Sequence, residues 1–268
     1  MDHPENVLCD RVESLLTLYP PSSKRRIIIA MAGGPGSGKS TISAALAKLF
    51  NARNSEKMRV VPMVSRTGFF GLSNQFNGLQ DGFHYSKAQL STLKHPECLF
   101  RRRGAPFTFD GPSFIQLVHS LRSSTVTETD HPALGIWAPS FDHAVKDPVA
   151  DDIYISSSQR IILLEGSYLL LNEKPWDQIR DFVDESYVSA LPEECSRWLA
   201  NALSSWFIDV SREEAKKRLV QRHIQAGIEN NWDDAVRRVE SNDLLNLDLV
   251  IEKQGSSHIV VSNSRGWN

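Results

Sequence analysis

"RRIIIAMAGGPGSGKSTISAALAKLF", Arg25 to Phe50, is the stretch on which the fold turns. Ile27 to Ala32 is an unbroken apolar run, the pattern of a central parallel strand covered on both faces. Gly33 to Ser40 then spells G-x-x-x-x-G-K-S, and an Ala/Leu-rich helical pattern follows at once. Strand, glycine loop and helix in that order are the context a P-loop requires. The glycines let successive backbone N–H groups point at phosphate oxygens without Cβ collisions, and the helix N-terminus adds its positive end. Lys39 would reach the β- and γ-phosphates, and Ser40 would offer its hydroxyl to Mg²⁺. The expected nucleotide contacts are Gly33, Gly34, Pro35, Gly36, Ser37, Gly38, Lys39, Ser40 and Thr41. A plain flexible turn would not bring the fixed positions together with both flanks. The loop binds a nucleoside triphosphate.

The 268-residue chain suits one α/β domain with an appendage, or two small domains. Leu8, Val12, Leu15, Leu16 and Tyr19 fall at helical spacing, and Pro20-Pro21 stops that helix. A 41% hydrophobic and 23% charged composition provides for a real core. Net charge is -2 and the pI about 6.5, so no overall basic field points to nucleic acid. No apolar run approaches the roughly 18 residues of a membrane span. The acidic start "MDHPENVLCDRVESLL" lacks the charge and apolar block of a signal peptide. Cys9, Cys98 and Cys195 lie far apart without a CxxC pair, which fits buried thiols in a reducing compartment. The expected location is cytoplasmic. His84, His95 and His143 do not show metal-ligand spacing, so no metal site built by protein side chains alone is expected.

A P-loop serves kinases, GTPases and motor ATPases alike, so a second motif has to decide. The guanine-reading Asn-Lys-x-Asp of a G-protein is absent from the sequence. A second β-rich run, "RVVPM", is followed at a distance by "DGFHYS", Asp81 to Ser86. An acidic residue near the tip of a strand beside the P-loop can accept a proton from a substrate hydroxyl. Asp81 is the candidate base, although Asp-Gly by itself is as readily a turn.

"GGPGSGKST" (33–41), "DGFHYS" (81–86), "RRRGAPFTFD" (101–110), "PSFDHAVKDP" (139–148), "RIILLEGSYLLL" (160–171) and "KRLVQRHIQAG" (217–227) occur in this order. Together they resemble the phosphoribulokinase/uridine kinase/pantothenate kinase group of P-loop small-molecule kinases. Within it they are most similar to a branch of fungal ATP-dependent, nucleoside-kinase-like proteins. The resemblance runs from Arg25 to about Asn246. It implies a three-layer α/β fold with a parallel central sheet, helices on both faces and a small lid. The division it suggests is an N-terminal helix and linker, 1–24, before a kinase domain, 25–268. It further implies ATP and Mg²⁺, with Asp81 as catalytic base and Glu165 helping Ser40 to organise the metal. The helix carrying Arg218 and Arg222 would be a lid over the phosphates.

The residues themselves bear on several of these points. "SREEAKKRLVQRHIQAG" opens on a Ser211/Glu214 capping box and ends at Gly227, a well-bounded helix. Arg218 and Arg222 share one of its faces and suit charge neutralisation on a triphosphate. A solvated basic face paired with Glu213 and Glu214 is the other reading, and His223 fits either substrate contact or packing. Three arginines before Gly-Ala-Pro suit an anion grip or a solvated turn; the resemblance implies that this region lines the acceptor pocket, and Arg103, next to the turn, is the expected substrate contact. Asp142 and His143 sit between Pro139 and Pro148, hence on a loop; that loop resembles the acceptor-binding loop of uridine kinases, which implies that they, with His84, complete the acceptor contacts. Phe107, Phe109 and Phe141 suit a ring-binding wall or core packing equally. The expected reaction transfers the ATP γ-phosphate to a hydroxyl of a nucleoside, sugar or pantothenate-like alcohol. The alternative is a non-catalytic nucleotide-dependent switch.

Two stretches interrupt the family blocks. In the kinases this chain resembles, the strand runs straight into the base motif, whereas here Val64 to Gln80 intervene. A structureless loop of that length inside a compact domain argues against the simple assignment. Val64-Ser65 can be encoded GTA-AGT, Ser73-Asn74 TCT-AAC and Gln80 CAG, the start, branch sequence and end of a short in-frame intron. Tyr187 to Ser205 behaves alike, and its removal turns "FVDESYVSALPEECSRWLANALSSWFIDV" into "FVDESWFIDV". Both are expected to be retained introns. The other reading is two genuine insertions, the second forming a helix from Pro192 to Ser204.

Overall fold

The computed structural model describes residues 4–54, 58–62, 82–142, 145–183, 205–255 and 259–263. Its strands are β1 (Ile27–Ala32), β2 (Met58–Pro62), β3 (Ile136–Asp142), β4 (Asp147–Ile155), β5 (Ile161–Gly166), β6 (Ser205–Asp209) and β7 (Ile259–Ser262). Its α-helices are α1 (Pro4–Leu18), α2 (Lys39–Arg53), α3 (Lys87–Thr92), α4 (Pro96–Arg101), α5 (Gly111–Ser123), α6 (Arg212–Gln225), α7 (Trp232–Arg238) and α8 (Leu244–Lys253). Five strands form one parallel sheet in the order β2-β5-β1-β6-β7. β3 and β4 pair separately as an antiparallel hairpin with a bulge between Ala138 and Ser140.

Side-chain alternation along the strands produces the layers. Ile27, Ile29, Met31, Ile161, Leu163, Trp206 and Ile208 face one way, against Leu8, Val12 and Leu15 of α1 and Ile42, Leu46 and Phe50 of α2. Ile28, Ala30, Ile162, Leu164 and Phe207 face the other, against Phe114, Val118 and Leu121 of α5, Trp176, and Ala138 and Ile153 of the hairpin. β1 has no exposed face, which is why its six residues read as an unbroken apolar run. The sequence therefore folds as three layers. The N-terminal helix is part of one of them, because Leu8, Cys9, Val12 and Leu15 are fully buried in the core beneath β1. A third cluster, Val210, Ala215, Leu219, Val220, Ala235, Val239, Leu244 and Leu247, holds α6, α7 and α8 together as a small lid.

Three local expectations need correction. "PSFDHAVKDP" is not a free loop: Pro139 to Asp142 belong to β3 and Asp147-Pro148 to β4, so the segment is the end of a hairpin. Proline is tolerated in it because a two-stranded ribbon has edges that need no N–H donor. The α6 cap is a half capping box. Ser211 accepts from the Glu214 N–H at 3.2 Å, but the Glu214 carboxylate turns to the Arg218 guanidinium at 2.8 Å instead of back to the cap. Third, Ser205 is the first residue of β6, buried and in register with Ala30, so the suspected insertion runs one residue into the sheet.

Residues 64–80 and 187–204 lie outside the described residues. We propose that they are dispensable. Joining Ser186 to Trp206 places another serine at the β6 position that faces Ala30, so deleting Tyr187–Ser205 together with Val64–Gln80 is expected to preserve folding and raise phosphotransfer. Thermal unfolding and ADP release from the two proteins decide the matter. A deletion variant that unfolds would make both stretches structural.

Candidate active site

Gly36 and Gly38 have φ of +78° and +84°, values that a side chain would strain. They turn the chain after β1 into the first turn of α2, whose opening residue is Lys39. The loop is gripped on several sides. Cβ atoms added at Gly33, Gly34 or Gly36 would strike Ile208 of β6, Leu247 of α8 or the Ala215 backbone of α6. Sheet, lid and loop are thus one packed unit, and the glycines are demanded by closeness as well as by torsion.

Lys39 is 6% exposed, and its ammonium donates to the Gly34 carbonyl at 3.3 Å. Ser40 donates to the Glu165 carboxylate, 3.1 and 3.0 Å from its two oxygens. Glu165 is 2% exposed near the end of β5, which lies beside β1 with Met31 opposite Glu165. Two residues 125 positions apart, both expected to organise a metal, therefore touch. A hydroxyl and a carboxylate are hard oxygen donors of the kind Mg²⁺ takes, with phosphate oxygens and water completing its shell. Among the described residues no cluster of three or more His, Cys, Asp or Glu could hold a metal unaided.

Arg218 reaches the loop from the lid. It donates to the Gly36 carbonyl at 3.3 Å and the Asn263 carbonyl at 3.0 Å while its Nε pairs with Glu214. Arg222 lies one turn further on α6, half-buried. His223 is packing: it is 4% exposed and its Nε2 meets the Asp243 carboxylate at 2.9 Å, within the lid.

Asp81 and His143 lie outside the described residues. The chain is fixed from Gly82 onward. A Cβ on Gly82 would fall 2.3 Å from the Pro139 carbonyl, so the motif's glycine allows its backbone to lie on the hairpin. The Asp110 N–H donates to the Phe83 carbonyl at 2.7 Å, and the Tyr85 N–H to the Thr108 carbonyl at 2.9 Å. "DGFHYS" and "RRRGAPFTFD" are therefore two sides of one short ladder. His84 is 7% exposed, its ring 3.9 Å from that of Phe109. Burial, and then the Asp110 charge, raise the Tyr85 phenol above its ordinary pKa.

Arg103 is drawn inward. Its guanidinium donates to the carbonyls of Lys146 and Tyr85 and pairs with Asp147, all at 3.1 Å, tying the hairpin to the motif. Arg102 donates to Asn246 at 3.1 Å, and Asn242 donates to the Arg103 carbonyl at 3.1 Å, so the same turn is also tied to the lid. Asp142 is exposed at the end of β3 and accepts from the Val145 N–H at 3.1 Å. Phe109 and Phe141 are buried, and Phe107 is 53% exposed.

A cavity of about 620 Å³ opens beside the motif, lined by Gly82, Phe83, His84, Ser86 and Gln89, by Asp110, Ser113 and Gln116 around α5, and by Trp137 and Asp151 of the hairpin. Of the expected acceptor contacts it takes in His84 and, among the described residues, neither Arg103 nor Asp142.

Asn263 had no place in the sequence reading. It follows β7, is 3% exposed, and donates to the Ser37 carbonyl at 2.6 Å. The signal was faint but present: Ile259-Val260-Val261-Ser262 is a β-rich run ended by Asn.

No family model matches the chain. "Putative uridine kinase C227.14" of Schizosaccharomyces pombe is 35% identical over 243 residues, covering 90% of this chain and 85% of that protein. "ATP-dependent kinase-like protein notR'" of Aspergillus versicolor is 40% identical over 174 residues, covering 65% of this chain and 88% of its own. Among solved structures, a "putative fructose transport system kinase" from Silicibacter sp. TM1040 superposes with a TM-score of 0.71 at 27% identity, covering 97% of this chain and 99% of its own. YFH7 from Saccharomyces cerevisiae gives 0.70 at 22% identity over 100% of both chains, which bears on the fold alone. A glycine loop under a lid arginine, a serine on a buried carboxylate and relatives matched over most of their length lead to one assignment: the chain belongs to the uridine kinase-like group of P-loop ATP-dependent kinases.

Proposed function

We propose that the protein transfers the γ-phosphate of ATP to a hydroxyl of a small metabolite, an uncharged nucleoside or sugar in preference to an anionic pantothenate-like alcohol. The observation that carries this reading is the contact of Ser40 with Glu165 at 3.0 Å beside the buried Lys39. It gathers the charge-handling parts of phosphoryl transfer at one end of the parallel strands, where ligands of such sheets bind.

Ser40 and Glu165 would hold Mg²⁺, which when bound neutralises charge on the phosphates. Lys39 places a positive charge on the transferring group, and Arg218 and Arg222 add theirs from the lid. Asp81 takes the acceptor's proton. The acceptor enters from the cavity beside Gly82 to His84, whose lining carries Asp110 and Asp151 and, among the described residues, no lysine or arginine. Such a lining favours a neutral, hydroxyl-rich molecule over a phosphorylated one, because an anion would meet carboxylates without compensation. His84 and Asp142, with His143 next to it in the sequence, would contact it. Arg103 would act by holding the hairpin against the motif.

ADP release measured against a panel of metabolites tests this reading. One neutral alcohol should stimulate release many-fold over the rate with ATP and Mg²⁺ alone. Stimulation by no acceptor, or by phosphorylated compounds alone, would contradict it. Among the described residues, no helix is long and apolar enough to cross a membrane.

A further inference from the structure

A phosphate loop offers its backbone N–H groups to the anion, so its carbonyls need other partners. In this chain two of them are held by side chains from distant parts of the sequence. Gly36 O accepts from Arg218 of the lid at 3.3 Å, and Ser37 O accepts from the Asn263 carboxamide at 2.6 Å. The backbone carbonyl of the same Asn263 accepts from Arg218 at 3.0 Å, and its backbone N–H donates to the Asp209 carbonyl at 2.8 Å, extending the β6–β7 ladder. Asn263 thus joins three elements, the loop, the lid arginine and the sheet, in one buried knot. Its Nδ2 lies 2.4 Å from where a Cβ on Gly38 would stand, so Gly38 must be glycine for the asparagine to reach in.

We infer that Asn263 is a positioning residue for nucleotide binding, its side chain acting through Ser37 while its backbone carbonyl receives Arg218. This rests on the ATP-binding reading of the loop. A peptide plane whose carbonyl is held outward has its neighbouring N–H groups turned inward, toward the phosphates. A guanidinium already held over the loop likewise loses less freedom when it meets them. Asn263 therefore acts twice: its side chain preforms an anion nest, and its backbone carbonyl keeps an arginine within reach of it. Serine, aspartate or an apolar residue could close a strand end equally well. None of them carries an amide donor on the same arm.

Equilibrium binding of a fluorescent ATP analogue with Mg²⁺, alongside thermal unfolding of the nucleotide-free protein, tests the inference. Asn263→Ala is expected to weaken binding about tenfold while the unfolding midpoint moves by only a few degrees, since one hydrogen bond is lost. Arg218→Ala should also weaken binding. Combining the two should cost less than the product of the single effects, because the two side chains hold the consecutive carbonyls of Gly36 and Ser37 in one loop. Asn263→Leu, similar in size and unable to donate, should bind as weakly as the Ala variant, and it carries the test if the Ala variant does not fold. Binding within twofold of wild type in the folded variant, or strictly multiplicative losses in the double variant, would overturn the inference. Wild-type protein that binds no Mg·ATP would overturn the nucleotide reading itself, and the inference with it.

Discussion

Lys39→Ala is expected to abolish ATP turnover in a protein that still folds. Lys39 opens α2 with its ammonium 3.3 Å from the Gly34 carbonyl and its side chain buried in the loop. Alanine is the best helix former, so the substitution does not disturb α2. The backbone N–H groups of the loop would still receive phosphates, but the point charge on the transferring group would be gone. Where one preorganised donor of this kind is lost, rates fall by about 10²–10³-fold, and a full charge inside a low-dielectric site is worth at least that. ADP production measured under saturating ATP would record the loss. Undiminished turnover would remove the loop from the reaction.

Asp81→Asn should spare nucleotide binding and lose transfer. The amide nearly preserves the shape of the carboxylate yet cannot accept the acceptor's proton, and removing a general base costs about 10²–10⁴-fold. The chain that leaves Asp81 is anchored at every following residue: Gly82 against the hairpin backbone, Phe83 edge-on to Phe114 at 5.1 Å, and His84 over Phe109. Binding of Mg·ATP and acceptor-dependent ADP release, measured on the same sample, separate the two roles. If nucleotide affinity collapsed and the remaining transfer fell only in proportion, Asp81 would be a nucleotide or metal contact instead.

Much of this architecture is legible in the sequence because a few residues admit few structures. Six apolar residues followed by a glycine loop leave little choice but a buried parallel strand, and the pairing of Ser40 with Glu165 follows from two motifs that both end beside it. Other features depend on contacts that no local pattern announces. The hairpin was read as a loop because Pro139 and Pro148 punctuate it, yet proline is compatible with a two-stranded ribbon. Arg103 reads as a substrate contact in the sequence because the resemblance puts its segment at the acceptor pocket and no partner for it is visible there. Its partners, Lys146, Asp147 and the Tyr85 carbonyl, come from two other motifs. Asn263 escaped notice for the same reason, since its partner Ser37 is 226 positions away. Charge and glycine patterns reveal chemistry; the brackets that hold the chemistry in place are long-range and silent.

The central claim is that the ATP γ-phosphate moves to a carbon-bound hydroxyl. Incubation of the protein with γ-labelled ATP, Mg²⁺ and a mixture of nucleosides, sugars and pantothenate-like alcohols, followed by chromatographic separation, tests it most directly. Label is predicted to appear in one organic phosphate ester with wild-type protein, and to be absent from it with Lys39→Ala and with Asp81→Asn. Label found solely as inorganic phosphate, or an ester formed as fast by the Asp81→Asn variant, would contradict the account.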